Sequence, residues 1–122
     1  MLEKMQFERP LFNHGFTVEH FGFSTPEQVH KLAKLGANIS ANAYYLQELS
    51  NIYANDSVGF ERASSMARIG TSFREGITTT LHSDFTMAPA QPLMSMWVAV
   101  NRINEKGKVM GEEDCITPQQ GL

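Results

Sequence analysis

The sequence predicts an α/β fold in which parallel strands alternate with helices. Short runs of β-branched, aromatic and small residues at 16–20, 37–43 and 77–84 alternate between two faces. Each run is followed by a segment whose apolar residues recur at helical spacing. A strand and a helix repeated in this way are typical of a parallel sheet covered by helices.

Length and composition describe an ordinary globular chain. The 122 residues suit a single domain, and no linker or low-complexity tract divides them. A net charge of −3 without a basic block argues against nucleic acid as a partner. No apolar run approaches the length of a membrane span, and the N-terminus does not resemble a signal peptide. The single cysteine, Cys115, cannot form an internal disulfide, so we expect a reducing, cytoplasmic setting.

The first unit has the clearest boundaries. Its strand at 16–20 is followed by Thr25, Pro26 and Gln28, which together form a capping box with proline at the first helical position. Gly36 is a plausible end for this helix. We therefore expect the strand, a tight connection and a helix over about ten residues.

The second unit is longer. The strand at 37–43 precedes a segment, 44–55, that suggests a short helix and a loop. A helix is then predicted from 59 to 74, with four candidate buried positions at Phe60, Ala63, Ala67 and Phe73.

The third unit suggests a barrel strand. In the run 77–84, apolar and polar residues take turns along one face of the strand. The other face carries Thr78, Thr80, His82 and Asp84. Faces of unlike character suit a strand with helices outside and a polar interior. A helix is expected at 93–104. A second capping box at 117–120 stands at the end of the chain, so we expect the sequence to be part of a longer protein.

The residues able to carry chemistry stand where predicted strands end. His20 and Asp84 lie at the carboxyl ends of their strands, where ligands and catalytic groups gather in parallel α/β folds. Imidazole and carboxylate are suitable ligands for a divalent metal, or partners in moving a proton from water. His82 could orient Asp84 or touch a substrate. Spacing leaves a structural alternative open, in which His20 is a satisfied strand-end histidine and Asp84 caps the next loop.

The segments that carry these residues resemble the amidohydrolase superfamily. The run TVEH at 17–20, its proline-started helix and LGA at 35–37 resemble the sixth-strand region of that superfamily. The run HSDFTMAP at 82–89 is similar to its eighth-strand motif. The branch that these motifs resemble contains N-substituted formamide deformylases and exoenzyme-regulator-like proteins, and the similarity extends over nearly the whole chain from Phe16.

This resemblance implies a distorted (β/α)₈ barrel, the TIM barrel fold, with one or two divalent metals, usually zinc. Activated water would attack the carbonyl carbon of a small amide-like, non-peptide substrate. By position, His20 resembles the sixth-strand metal ligand. Asp84 resembles the eighth-strand aspartate that binds metal or the hydrolytic water and carries its proton. His82 occupies the place of a substrate contact.

The chain departs from the family pattern in what it lacks. The first-strand His-x-His, the fourth-strand bridging residue and the fifth-strand histidine have no counterparts. A whole barrel needs about 250 residues, so residues 1–122 would form one C-terminal piece holding roughly the last three strand–helix units. We therefore expect this piece to be inactive alone and, because its strand edges lack partners, to self-associate.

Two other interpretations remain. A half-barrel module that binds or assembles without catalysis would keep the same fold and lose the metal. A small flavodoxin-like domain would also alternate strands and helices, but the sequence shows no phosphate-binding loop after its first strand.

Overall fold

A three-stranded parallel sheet organises the protein. The computed structural model describes residues 1–122. Strands β1 (Thr17–His20), β2 (Asn38–Asn42) and β3 (Thr79–His82) lie side by side in chain order. Both neighbouring pairs are parallel, which confirms the predicted α/β class. All three strands therefore end at the same edge of the sheet.

Helices and turns connect the strands. The structure contains α1 (Leu2–Glu8), α2 (Pro26–Lys34), a π-helical turn (Tyr45–Leu49), α3 (Ser50–Asp56), α4 (Phe60–Ser64), α5 (Ile69–Arg74), α6 (Pro92–Asn101), a 3₁₀ turn (Glu112–Asp114) and α7 (Pro118–Gly121). Both predicted capping boxes form, at Thr25 and at Thr117, each with the reciprocal glutamine bond. No helix is both long enough and apolar enough to cross a membrane.

The prediction of one helix over 59–74 was wrong. The segment divides into α4 and α5, and Ala67 between them has a left-handed φ of 46°. The amide of Ala67 donates to Gly22 O at 2.9 Å, and its carbonyl accepts from Arg102. Because the Ala67 amide is bonded to Gly22 O and its φ is left-handed, the residue does not continue the helix. Phe60, predicted to be buried, is 55% exposed.

Other boundaries also differ from the predictions. The predicted strand at 77–84 is ordered as a strand only over β3, so Asp84 lies beyond its end. The helix predicted at 93–104 ends at Asn101, because Arg102 takes a left-handed conformation with φ 50°. Helix α1 was not predicted.

The hydrophobic core lies on one face of the sheet. Ile39 and Ala41 of β2 belong to the same buried cluster as Val29 of α2, Ile69 of α5 and Val98 of α6. These helices therefore cover the face that alternation assigns to the apolar residues.

The opposite face carries Glu19, Ser40 and Thr80 in register, and no element covers it. Glu19 and Thr80 are exposed on this face. The sheet thus has one apolar, packed face and one polar, open face.

Candidate active site

His20, His82 and Asp84 meet at the carboxyl edge of the sheet, as the sequence predicted. His20 is the last residue of β1, His82 is the last residue of β3, and Asp84 follows two positions later. The Nδ1 atom of His20 lies 3.9 Å from Asp84 Oδ2. The two imidazole rings have their centroids 5.1 Å apart. Residues on the two outer strands therefore converge across β2.

The strand pattern alone would have turned His20 the other way. In register, His20 pairs with Ala41 and Leu81 and should share the face that the helices cover. Instead its φ is 64°, far from the strand value near −120°. In this conformation the imidazole of His20 lies beside Asp84 and the ring of His82. Alternation along β1 did not predict this side-chain position.

The backbone after His20 is held by three contacts. Phe21 also has a left-handed φ, 51°, and its side chain is buried in the core. Gly22 O accepts the amide of Ala67 at 2.9 Å, and Ser24 O accepts Arg68 Nε at 2.8 Å. A core side chain and two long-range hydrogen bonds therefore fix the turn that orients His20.

His82 orients Asp84 through the backbone. The amide of Asp84 donates to His82 Nδ1 at 3.1 Å, and Asp84 has a φ of 53°. Since Nδ1 accepts, the neutral imidazole carries its proton on Nε2, which is buried and has no partner in the protein. This arrangement assigns His82 one structural bond and leaves one free N–H.

The donor set fits part of a metal centre. His20 Nδ1 is buried and has no hydrogen-bond partner, and 3.9 Å to Asp84 is too long for a hydrogen bond. Two atoms that bind one tetrahedral zinc ion at about 2.0–2.2 Å lie roughly 3.4 Å apart, so this pair would have to approach by about 0.5 Å to share one ion. No group of three or more His, Cys, Asp or Glu residues is placed to hold a metal. The chain therefore supplies two ligands of a set that needs more.

Two further residues border this site. The ring of Tyr45, in the π-helical turn, lies 6.0 Å from that of His20 and packs beside Gly22. Asn42 is the last residue of β2, pairs in register with His82 and is fully buried. Its Oδ1 accepts the Tyr44 amide, and its Nδ2 has no hydrogen-bond partner. Asn42 was not identified from the sequence. Its position at the end of a parallel strand, at the same edge of the sheet, was the available signal.

The other candidate groups have structural roles. His14 bridges Leu35 O and the Phe16 amide, and His30 pairs with Glu75 on the surface at 2.8 Å. Burial raises the pKa of the Cys115 thiol, which disfavours the thiolate needed for nucleophilic chemistry. The reactive groups are thus concentrated at the carboxyl edge of the sheet.

Comparisons with known proteins agree with this fold. The structure is similar to that of an uncharacterized metal-dependent hydrolase from Pyrococcus furiosus, with a TM-score of 0.71 and 22% identity. It is also similar to an uncharacterized metal-dependent hydrolase from Pyrococcus horikoshii OT3, with a TM-score of 0.63 and 24% identity. The matches cover 98% and 99% of this chain but only 23% of each of those chains.

A search of curated proteins found no match. The family model described as "Amidohydrolase family" matches residues 2–122, which is nearly the whole chain. On that match, the chain belongs to the amidohydrolase family.

Proposed function

We propose that this chain supplies part of the metal site of an amidohydrolase that cleaves a non-peptide, amide-like C–N bond with water. The observation that carries the proposal is the convergence of His20 and Asp84, with His20 Nδ1 buried and unpartnered 3.9 Å from the carboxylate. Family membership and the likeness to two metal-dependent hydrolases support it. The formamide deformylase-like branch remains our proposal for the substrate class.

Each residue has a role that its contacts support. His20 and Asp84 would hold a divalent cation, with zinc as the expected ion. Such an ion, when bound, lowers the pKa of water and polarises a carbonyl oxygen. Asp84, half exposed, would accept the proton of the attacking water and pass it to the leaving nitrogen. His82 has a free Nε2–H that can donate to a substrate oxygen.

We further propose that the three strands belong to a (β/α)₈ barrel. The polar, open sheet face and the packed opposite face support this proposal, because barrel strands have helices outside. The remaining metal ligands would come from other strands, so residues 1–122 alone would be inactive. A cytoplasmic location remains an expectation from the single free cysteine.

Metal titration tests the proposal. Co²⁺ added to the chain should shift the ring signals of His20 in NMR spectra, because cobalt takes the same nitrogen and oxygen ligands. His20→Ala and Asp84→Asn should each weaken Co²⁺ binding by roughly tenfold or more. His30→Ala is the matched control, since His30 also pairs with a carboxylate but lies outside the site. Equal binding in all three variants would contradict the proposal.

A non-catalytic module is the second candidate. The free edges of β1 and β3 and the open polar face favour self-association, because unpaired strand edges recruit other strands. Sedimentation velocity with and without metal separates the two candidates. A stable oligomer that binds no Co²⁺ would favour the module, whereas Co²⁺ binding that depends on His20 and Asp84 would favour the metal site.

A further inference from the structure

Arg102 is the largest fully buried side chain of the protein. It follows α6 in a left-handed conformation and is 1% exposed. A buried arginine is ordinarily paired with a carboxylate. Arg102 forms no ion pair, and the nearby buried Asp114 is taken by Arg68 and Arg74. The guanidinium must therefore be stabilised in another way.

Four backbone carbonyls surround the guanidinium. Nε donates to Met110 O at 2.6 Å and Nη1 donates to Ala67 O at 2.9 Å. Nη2 donates to Ser64 O at 3.0 Å and to Met66 O at 2.7 Å. Two of these acceptors, Met66 and Ala67, lie between α4 and α5, and Ser64 is the last residue of α4. Arg102 thus fixes the course of the chain from Ser64 to Ala67.

That break is bonded to the loop that orients His20. The amide of Ala67 donates to Gly22 O, two residues after His20. Ala67 has φ 46° and His20 has φ 64°, and non-glycine residues keep such conformations only where the surroundings over-determine them. The hydrogen bonds of Arg102 supply that constraint at Ala67. The hydrogen bond from Ala67 carries the constraint to the turn after β1.

We propose that Arg102 is a positioning residue for His20. Its guanidinium holds the Ser64–Ala67 turn, this turn holds the Gly22 carbonyl, and the imidazole of His20 is thereby kept against Asp84 and His82. The hydrogen bonds of Arg102 all go to backbone carbonyls and none to His20, His82 or Asp84, so its effect on His20 is exerted through the backbone.

The energetics agree with a positioning role. Burial lowers the pKa of Arg102 to about 10, which shows that the charge is held at a desolvation cost. A hydrophobic side chain of similar volume could fill the same space without that cost. A hydrophobic side chain could not provide directional hydrogen bonds to the four carbonyls.

This inference depends on the proposed function for its importance, because the position of His20 matters most if His20 binds metal. Its test measures the position of the His20 ring in the absence of metal, so this inference and the proposed function can fail separately. Arg102→Lys keeps the charge but loses the planar fork of donors. Nuclear Overhauser effects between the His20 ring and the rings of His82 and Tyr45 report the imidazole position.

We expect Arg102→Lys to lose these ring-to-ring signals while signals between Val18 and Ile39, paired in the sheet, persist. Arg74→Lys is the matched control, because Arg74 binds the Glu113 carbonyl and Asp114 without touching the Ser64–Ala67 turn. Wild-type ring-to-ring signals in folded Arg102→Lys would overturn the inference.

If Arg102→Lys does not fold, hydrogen exchange in the wild-type chain tests the inference instead. The Ala67 amide and the Arg102 Nε–H should then show the same opening free energy, each calculated against its own intrinsic exchange rate, because they open as one unit. Rapid exchange of the Ala67 amide beside a protected Arg102 Nε–H would overturn the inference.

Discussion

His20 and Asp84 face each other at 3.9 Å although strand β2 lies between the strands that they follow. Both residues are in left-handed conformations, with φ values of 64° and 53°. Such conformations cost about 1–3 kcal/mol each and concentrate at functional sites. The two left-handed residues turn their side chains toward each other, and the site depends on this strain.

The bond between His82 and the Asp84 amide gives a direct prediction. His82→Ala removes the acceptor, so exchange of the Asp84 amide should accelerate roughly twofold to tenfold, the equivalent of one ordinary hydrogen bond. Hydrogen exchange followed by NMR measures it.

His82→Asn is the matched variant, because an asparagine oxygen can accept the amide two residues later. It should restore slow exchange at Asp84. Acceleration of equal size in both variants would show that the His82 bond does not hold the backbone of Asp84.

The close approach of Gly70 to the C-terminal segment predicts an intolerant position. A Cβ at Gly70 would lie 2.7 Å from the backbone carbonyl of Asp114, so Gly70→Ala should destabilise the protein by about 1–3 kcal/mol. Gly22→Ala is the control, since its nearest neighbour would be the Tyr45 ring at an ordinary 3.6 Å. Urea unfolding of both variants compares them, and equal stability would contradict the prediction.

Asp114 joins the 3₁₀ turn to α5. Its fully buried carboxylate accepts the amide and hydroxyl of Thr71, both at 2.6 Å, and pairs with Arg68 at 3.5 Å. Asp114→Ala leaves these donors without their acceptor and should cost about 3–5 kcal/mol in the free energy of unfolding. The exposed neighbour Glu113 is the control: Glu113→Ala should change stability by less than about 0.5 kcal/mol.

The capping box of α2 predicts a third stability change. Thr25 Oγ1 accepts the Gln28 amide at 3.3 Å, and Gln28 Oε1 accepts the Thr25 amide at 2.9 Å. Thr25→Ala should destabilise the protein by about 1 kcal/mol, whereas Thr25→Ser, which keeps the acceptor, should lose only a fraction of this. Thermal unfolding followed by circular dichroism separates the two.

Attachment of α1 should depend on pH. The hydrogen bond and charge of Lys31 lower the pKa of Glu3 below its usual 4.5. A lowered folded-state pKa means that the contribution is complete above about 4.5 and is lost as the pH falls through the lowered value. The protection of α1 amides, measured against their intrinsic exchange rate at each pH, should therefore fall in that acidic window. In Lys31→Met this protection should already be low above the window, and a loss of protection that persists in this variant as the pH falls would contradict the assignment to Glu3 and Lys31.

Local sequence was sufficient for much of the fold. The two capping boxes depend on residues three positions apart, and the strand runs depend on alternation, so both could be identified before any contact was known. The same reasoning placed His20, His82 and Asp84 at one edge, because parallel strands end together.

Contacts between distant segments account for the rest. The division between α4 and α5 arises from bonds that Ala67 makes with Gly22 and Arg102, neither of which is near it in sequence. The orientation of His20 likewise follows from a left-handed turn held by those bonds and by the burial of Phe21. Periodicity and capping are local and can be recognised in the sequence. The conformations that bring His20 to Asp84 are locally unfavourable and exist because tertiary hydrogen bonds and core packing stabilise them.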